Sequence, residues 1–141
     1  MNAQQYTTRY TQAQVTSVDP KRLLLLMYEG GMKFLRLTRE GLVANDLGAF
    51  GHNLGRAQAI ISELMNTLDH QAGGKIADDL ARLYEFMLHH LTEANAKRSL
   101  KHVDEVLAVF GNIADAFRQI LTETTVETPA QPTPLRTAAS A

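Results

Sequence analysis

The sequence contains no cysteine among its 141 residues. Disulfide bonds, thiol nucleophiles and cysteine-based zinc or iron–sulfur sites are therefore excluded, and the composition fits a reducing compartment. The sequence also lacks an excess of positive or negative charge, since the formal net charge at pH 7 is −1. The chain thus has no basic field to attract nucleic acid or an anionic membrane surface. We expect any partner to be bound by shape and apolar contact.

Long apolar runs are missing as well. The longest run, Leu23 to Tyr28, has six residues, whereas a helix needs about 20 apolar residues to span a bilayer. The first 18 residues, MNAQQYTTRYTQAQVTSV, lack the apolar core of a secretory signal. The sequence therefore predicts a cytoplasmic protein that does not insert into membranes.

The sequence also lacks the patterns of catalytic and metal sites. A di-iron bundle needs Glu-x-x-His on two helices, and this chain has no such pair. Gly73-Gly74 is not followed by the Lys-Ser/Thr of a phosphate-binding loop. The stretch His52-Asn53-Leu54-Gly55-Arg56 loosely resembles the His-x-Leu-Lys-Gly pattern of histidine phosphotransfer domains, but its glycine and basic residue are exchanged. We expect no enzyme activity, metal or cofactor, and keep a phosphotransfer domain as an alternative.

Four segments carry apolar residues at alternating spacings of three and four, which is the period of one face of a packed α-helix. The clearest is the segment with Leu47, Phe50, Leu54, Ala57, Ile61, Leu64 and Leu68. Asp46 is a good N-cap because its carboxylate can accept from the free amides of the first turn. We expect Gly73-Gly74 just past the helix end, where a positive φ is needed.

The other three helices have comparable signals. The first begins at Pro20 after the N-cap Asp19 and runs to about Val43. The third covers about 75–94, with a main stripe at Ile76, Leu80, Leu83, Met87 and Leu91. The last runs from the N-cap Ser99 to about Leu121. Similar lengths and short connections predict an all-α fold, an antiparallel up-down four-helix bundle.

The sequence divides into three parts around this bundle. We expect residues 1–18, rich in Gln and Thr, to form a mobile or short-helical N-terminal arm, and residues 19–121 to form the bundle. Residues 122–141, rich in Pro and Thr, are predicted to be a disordered tail. The bundle has more apolar surface than four helices need, because the run Leu23 to Tyr28 surrounds the first helix near its start. The apolar pattern of the residues by itself therefore indicates a helical module that binds another protein.

Four stretches occur in a recognisable order and spacing. The first is Tyr6-x-x-x-Tyr10 with Val15 and Asp19-Pro20-x-x-Leu23, and the second is Leu26-Met27-Tyr28-Glu29-Gly30 with Lys33-Phe34-Leu35. The third is Ala57-Gln58-x-Ile60-Ile61-x-Glu63-Leu64 with Thr67-Leu68-Asp69 and Gly73-Gly74. The fourth is Leu83-Tyr84-x-x-Met87 with Leu91-x-Glu93-Ala94-Asn95. Together they resemble the flagellin export chaperone family, the FliS-type chaperones of bacterial flagellar assembly. Two positions depart from the family pattern: His89-His90 replaces a frequent Arg-Arg, and Phe117 a frequent Trp.

The resemblance implies a chaperone that binds the disordered C-terminal segment of flagellin, prevents its premature polymerisation and delivers it to the flagellar export gate. A flagellin-synthesis regulator is a further partner that the resemblance allows. The residues expected to bind the partner are Tyr6, Tyr10, Val15, Met27, Gly31, Ala57, Ile60, Leu64, Met65 and Tyr84. Bundle core is the alternative for many of them, and Ile60 and Met65 flank the main seam. An adaptor or chaperone for another secreted protein remains the other functional reading.

Overall fold

The structure, a computed structural model, describes the backbone of residues 19–130 and the side chains of residues 19–123. Four α-helices make up this part of the chain: α1 (Pro20–Val43), α2 (Leu47–Asn66), α3 (His70–Lys97) and α4 (Leu100–Ala130). α1 and α3 each pack against both α2 and α4, so that the helices form a four-cornered bundle. The predicted all-α bundle is confirmed. The predicted arm, residues 1–18, lies outside the described residues, as do residues 131–141.

Short polar side chains start the helices as the sequence predicts. Asp19 accepts from the backbone N–H of Lys21, and Asp46 accepts from that of Ala49, both at 3.1 Å. The Ser99 hydroxyl accepts from the amide of His102 at 3.2 Å. These bonds satisfy amide groups that have no partner within the helix. Because capping depends on neighbours along the chain, sequence locates these helix starts closely.

The connection between α2 and α3 differs from the prediction. α2 ends at Asn66, and the side chain of Asp69 caps a new helix by accepting from the Ala72 amide at 3.0 Å. Gly73-Gly74 therefore lies inside α3 instead of marking the end of α2. Gly74 does adopt a positive φ of 52°, with a ψ of −126°, and it kinks α3 after its first turn. The expected positive φ is thus found at Gly74 alone, and it lies within α3 and not just past the end of α2.

α4 continues to Ala130, so the predicted end near Leu121 is too early. Thr-rich sequence disfavours a helix only mildly. Adding residues to a helix that already exists avoids the unfavourable nucleation step. The long helix formed by the preceding apolar residues can therefore propagate into residues 122–130.

The core runs through the centre of the bundle, and only part of the stripe predicted for α3 faces it. Met87 and Leu91 are buried as predicted, and Ala77 and Tyr84 are buried beside them. Ile76 and Leu83, also predicted for the main stripe, are 72% and 38% exposed. A small alanine can face a neighbouring helix closely, so a stripe drawn through the largest residues is rotated from the true interface. Within residues 19–130, no helix is long and apolar enough to cross a bilayer.

Candidate protein-binding site

An apolar hollow lies between the first half of α1 and the second half of α2. We call it the α1–α2 hollow; its volume is about 540 Å³, and it is lined by Leu23, Met27, Phe34, Arg56, Ala59, Ile60 and Glu63. The helices run in opposite directions, so the start of α1 lies beside the end of α2. The hollow therefore extends along both helices as a trough with an apolar floor and two charged side chains.

A second hollow, of about 350 Å³, lies where the start of α1 meets the α2–α3 connection; we call it the end hollow. Its lining is mainly apolar and includes Leu24, Tyr28, Leu68, Ile76, Leu80 and Phe117. A smaller hollow of about 270 Å³ shares Leu24 and Thr67 with the end hollow and Leu23 and Met27 with the α1–α2 hollow. The three hollows thus form one continuous apolar surface around the start of α1, here called the collar.

Large apolar side chains are exposed in and beside the collar. Leu23 is 40% exposed, the neighbouring Leu26 is 46% exposed, and Ile76 projects at the rim of the end hollow. Each square ångström of apolar surface removed from water stabilises a complex by about 25 cal/mol before ordering costs. Contiguous apolar surface on a folded protein commonly marks a binding site. The collar is therefore the candidate site of this protein.

A buried tyrosine pair forms part of the floor of the end hollow. The hydroxyl oxygens of Tyr28 on α1 and Tyr84 on α3 are 2.6 Å apart, so one hydroxyl donates to the other across the bundle diagonal. The Tyr28 ring also stacks on Phe117 with a centroid distance of 5.0 Å. Burial raises the pKa of both phenols, and the hydrogen bond with Tyr84 raises that of Tyr28 further. The pair joins two helices and gives the hollow a fixed floor.

The raised pKa values predict a loss of stability at alkaline pH. Both tyrosines ionise near pH 10 in the unfolded chain but at higher pH in the folded protein. Their stabilising effect is therefore complete below pH 10 and decreases above it, by up to about 1.4 kcal/mol per pH unit for each tyrosine. Urea unfolding between pH 8 and 11 should show a shallower decrease for Tyr28→Phe/Tyr84→Phe than for the natural protein. Equal slopes would contradict this assignment.

The structure places the predicted binding residues in three different settings. Met27 and Ile60 line the α1–α2 hollow and are half-buried. Leu64 and Tyr84 line the end hollow but are almost completely enclosed. In the third setting, Gly31 and Ala57 lie inside the bundle and Met65 packs beside the core. The other three predicted residues, Tyr6, Tyr10 and Val15, lie outside the described residues. For all ten residues, direct contact with a partner stays a prediction.

The collar also contains residues that the sequence-based set omitted. Leu23, Leu24 and Phe34 line it from α1, and Ile76 from α3. A usable signal for α1 was the apolar run that surrounds the start of this helix, because no single neighbouring helix can cover all sides. The charged residues Arg56 and Glu63 had no comparable signal. Their place beside the hollow depends on the rotation of α2 against α1.

Histidines cluster with carboxylates at the other end of α3. His90 Nε2 is 2.7 Å from Glu105 Oε2, and His102 Nε2 is 3.2 Å from Glu93 Oε2. The two imidazole rings are tilted by 33° to each other, with centroids 4.2 Å apart. No group of His, Asp and Glu side chains among the described residues has the arrangement needed to hold a metal ion. We interpret this cluster as polar packing between α3 and α4.

Comparison with known proteins relates both sequence and fold to flagellar chaperones. The family model described as flagellar protein FliS matches residues 2–124. The flagellar secretion chaperone FliSB of Pseudomonas aeruginosa is 36% identical over 105 residues, which cover 74% of this chain and 83% of that protein. The flagellar secretion chaperone FliS of Salmonella typhimurium is 33% identical over 116 residues, covering 82% and 86%.

The fold is also similar to that of a bacterial flagellar chaperone seen in a crystal structure. The TM-score is 0.67 with 22% sequence identity, and the match covers 86% of this chain and 99% of the other. At this identity the likeness concerns the fold alone. It agrees with the four-helix architecture on which the collar is built.

Proposed function

Because the chain belongs to the FliS family of flagellar secretion chaperones, a non-enzymatic family, we propose that it binds the disordered C-terminal segment of flagellin in the cytoplasm. In this role it prevents premature polymerisation and delivers flagellin to the flagellar export gate. The observation that carries the proposal is the collar, in which three joined apolar hollows surround the start of α1.

The shape of the collar suits a chain more than a compact ligand. The α1–α2 hollow is bordered by residues 56–63 of α2, which span about 10 Å at 1.5 Å per residue, and the collar continues around α1. An amphipathic segment can lay its apolar face into such a trough as a helix. Ordering a disordered segment consumes several kcal/mol of the interaction free energy. This cost keeps the complex releasable, as delivery to an export gate requires.

The N-terminal arm is a second element of the proposal. It joins the bundle at Asp19, next to Pro20, which lines the smallest hollow of the collar. A segment attached at this point has a high effective concentration at the collar. We propose that the arm competes with flagellin for part of the site and that Tyr10 then contacts the export gate when flagellin displaces it.

We expect Ile60→Asp to weaken binding of a flagellin C-terminal peptide at least tenfold while the bundle stays folded. Ile60 is only half-buried and lines the α1–α2 hollow, so a carboxylate there would be desolvated mainly when the peptide binds. Val43→Asp is the matched control, because Val43 is an exposed apolar residue at the opposite end of α1. Calorimetric titration measures the affinity, and circular dichroism checks the fold.

An unchanged affinity of the Ile60→Asp variant would contradict the proposed site. Flagellin that lacks its C-terminal segment should not bind the natural protein. Strong binding of a different secreted protein, together with no binding of flagellin, would instead favour the adaptor function that the sequence left open.

A further inference from the structure

Two opposite charges border the α1–α2 hollow on the same helix. Arg56 and Glu63 both line it from α2, with Ala59 and Ile60 between them. They are seven residues apart, which is two helical turns or about 10 Å. Both residues are exposed, and neither forms an ion pair with any residue in the part of the chain whose side chains are described. The trough therefore has a cationic end and an anionic end.

Contacts with the aromatic ring of Phe34 reinforce the positive end. The Arg56 guanidinium carbon lies 5.1 Å from the ring centroid, and Lys33 Nζ lies 5.7 Å from the same centroid. Cations over an aromatic face are attracted by its quadrupole, so both charges are held near this end of the trough. Glu63 lies toward the other end, beside the start of α1. An occupant of the trough thus meets a charge gradient along its length.

We propose that Arg56 and Glu63 set the direction in which a bound amphipathic helix lies along the α1–α2 hollow. An acidic side chain of the bound helix pairs with Arg56, and a basic side chain two turns away pairs with Glu63. The inference rests on the proposed function, in which the occupant is the C-terminal segment of flagellin. Apolar contact supplies the affinity, and the charge pair selects one of two opposite orientations, since complementary charges fix register more than they add affinity.

Direction can be measured because the chain has no cysteine. One spin label is placed at His52→Cys or at Asn66→Cys, two exposed sites toward opposite ends of α2 and about 21 Å apart. The probes are two amphipathic helical peptides that have leucines on one face and an N-terminal spin label. One peptide carries Glu followed seven residues later by Lys, and the other carries Lys followed by Glu. Pulsed electron paramagnetic resonance then measures the distance between the two spin labels.

We expect the N-terminus of the Glu-first peptide to lie near residue 52 and that of the Lys-first peptide near residue 66. Exposed ion pairs are individually weak, so the favoured direction should exceed the other by about threefold to tenfold. The exchange Arg56→Glu/Glu63→Arg keeps the net charge and should reverse both results. Arg56→Gln/Glu63→Gln should remove the preference, and 1 M salt should reduce it because the screening length falls to about 3 Å.

Distances that do not change in the exchanged variant would overturn this inference. Failure of both probes to bind would also overturn it when an unlabelled flagellin C-terminal peptide does bind in the same series. In both cases the proposed function stands. If the natural protein does not bind the flagellin peptide at all, the proposed function fails and the inference fails with it. Circular dichroism confirms that each labelled variant keeps its helix content.

Discussion

Gly41→Ala is expected to destabilise the protein by about 2 to 3 kcal/mol, although alanine normally stabilises a helix interior by about 1 kcal/mol relative to glycine. Gly41 is buried near the end of α1, where α1 crosses the start of α2. A Cβ atom there would lie 2.8 Å from the backbone nitrogen of Phe50 and 3.1 Å from its Cα. Backbone atoms cannot rotate aside, so the two helices would have to separate.

Urea unfolding of Gly41→Ala and a matched control tests this expectation. Gly51 and Gly55 lie in the interior of α2, and a Cβ at either position would have open space around it. Gly51→Ala and Gly55→Ala should therefore stabilise the protein by up to about 1 kcal/mol through helix propensity alone. If Gly41→Ala were as stable as these controls, the close approach of α1 and α2 at Gly41 would be wrong.

Gly31→Ala is expected to cost a similar amount for a different reason. A Cβ on Gly31 would overlap the tip of the Phe110 ring and lie 2.7 Å from its Cε1. Phe110 is completely buried and packs against the Tyr28 ring with centroids 5.7 Å apart. Because protein cores are close-packed, moving this buried ring aside would displace its neighbours. We expect a destabilisation of about 2 to 3 kcal/mol.

A second substitution should partly reverse the effect at Gly31. Phe110→Leu removes ring atoms and by itself leaves a cavity that destabilises the protein. In Gly31→Ala/Phe110→Leu the alanine methyl occupies part of that space, so the two costs should not add. A double-mutant cycle from urea unfolding should give a coupling of at least about 1 kcal/mol. Additive effects would contradict the contact between Gly31 and Phe110.

The same rescue should fail at Gly41. There the obstacle is the backbone of Phe50 and not its ring, so shortening the Phe50 side chain leaves the overlap in place. The two glycines look alike in the sequence because both lie within the same helix. The pair of experiments therefore distinguishes a close approach of two backbones from a side chain that fills the space above a glycine.

Local sequence rules explain why much of the fold could be predicted. The capping roles of Asp19, Asp46 and Ser99 depend on neighbours within three residues, so they are visible before any tertiary contact is known. The predicted position of the α2–α3 connection was wrong because two local signals compete in this part of the sequence. Gly73-Gly74 resembles a helix end, but the cap at Asp69 starts the next helix earlier.

The sequence by itself determined four amphipathic helices, their order, most of their starts, and the apolar excess at the beginning of α1. Packing alone decided which face of each helix is enclosed. In the packed bundle Ile76 is exposed, Ala77 is buried, and Ile60 lines the α1–α2 hollow. Tyr28 and Tyr84, 56 residues apart, met through a hydrogen bond across the bundle. Periodicity gives the width of an apolar face, whereas its rotation and partners depend on the simultaneous packing of all four helices.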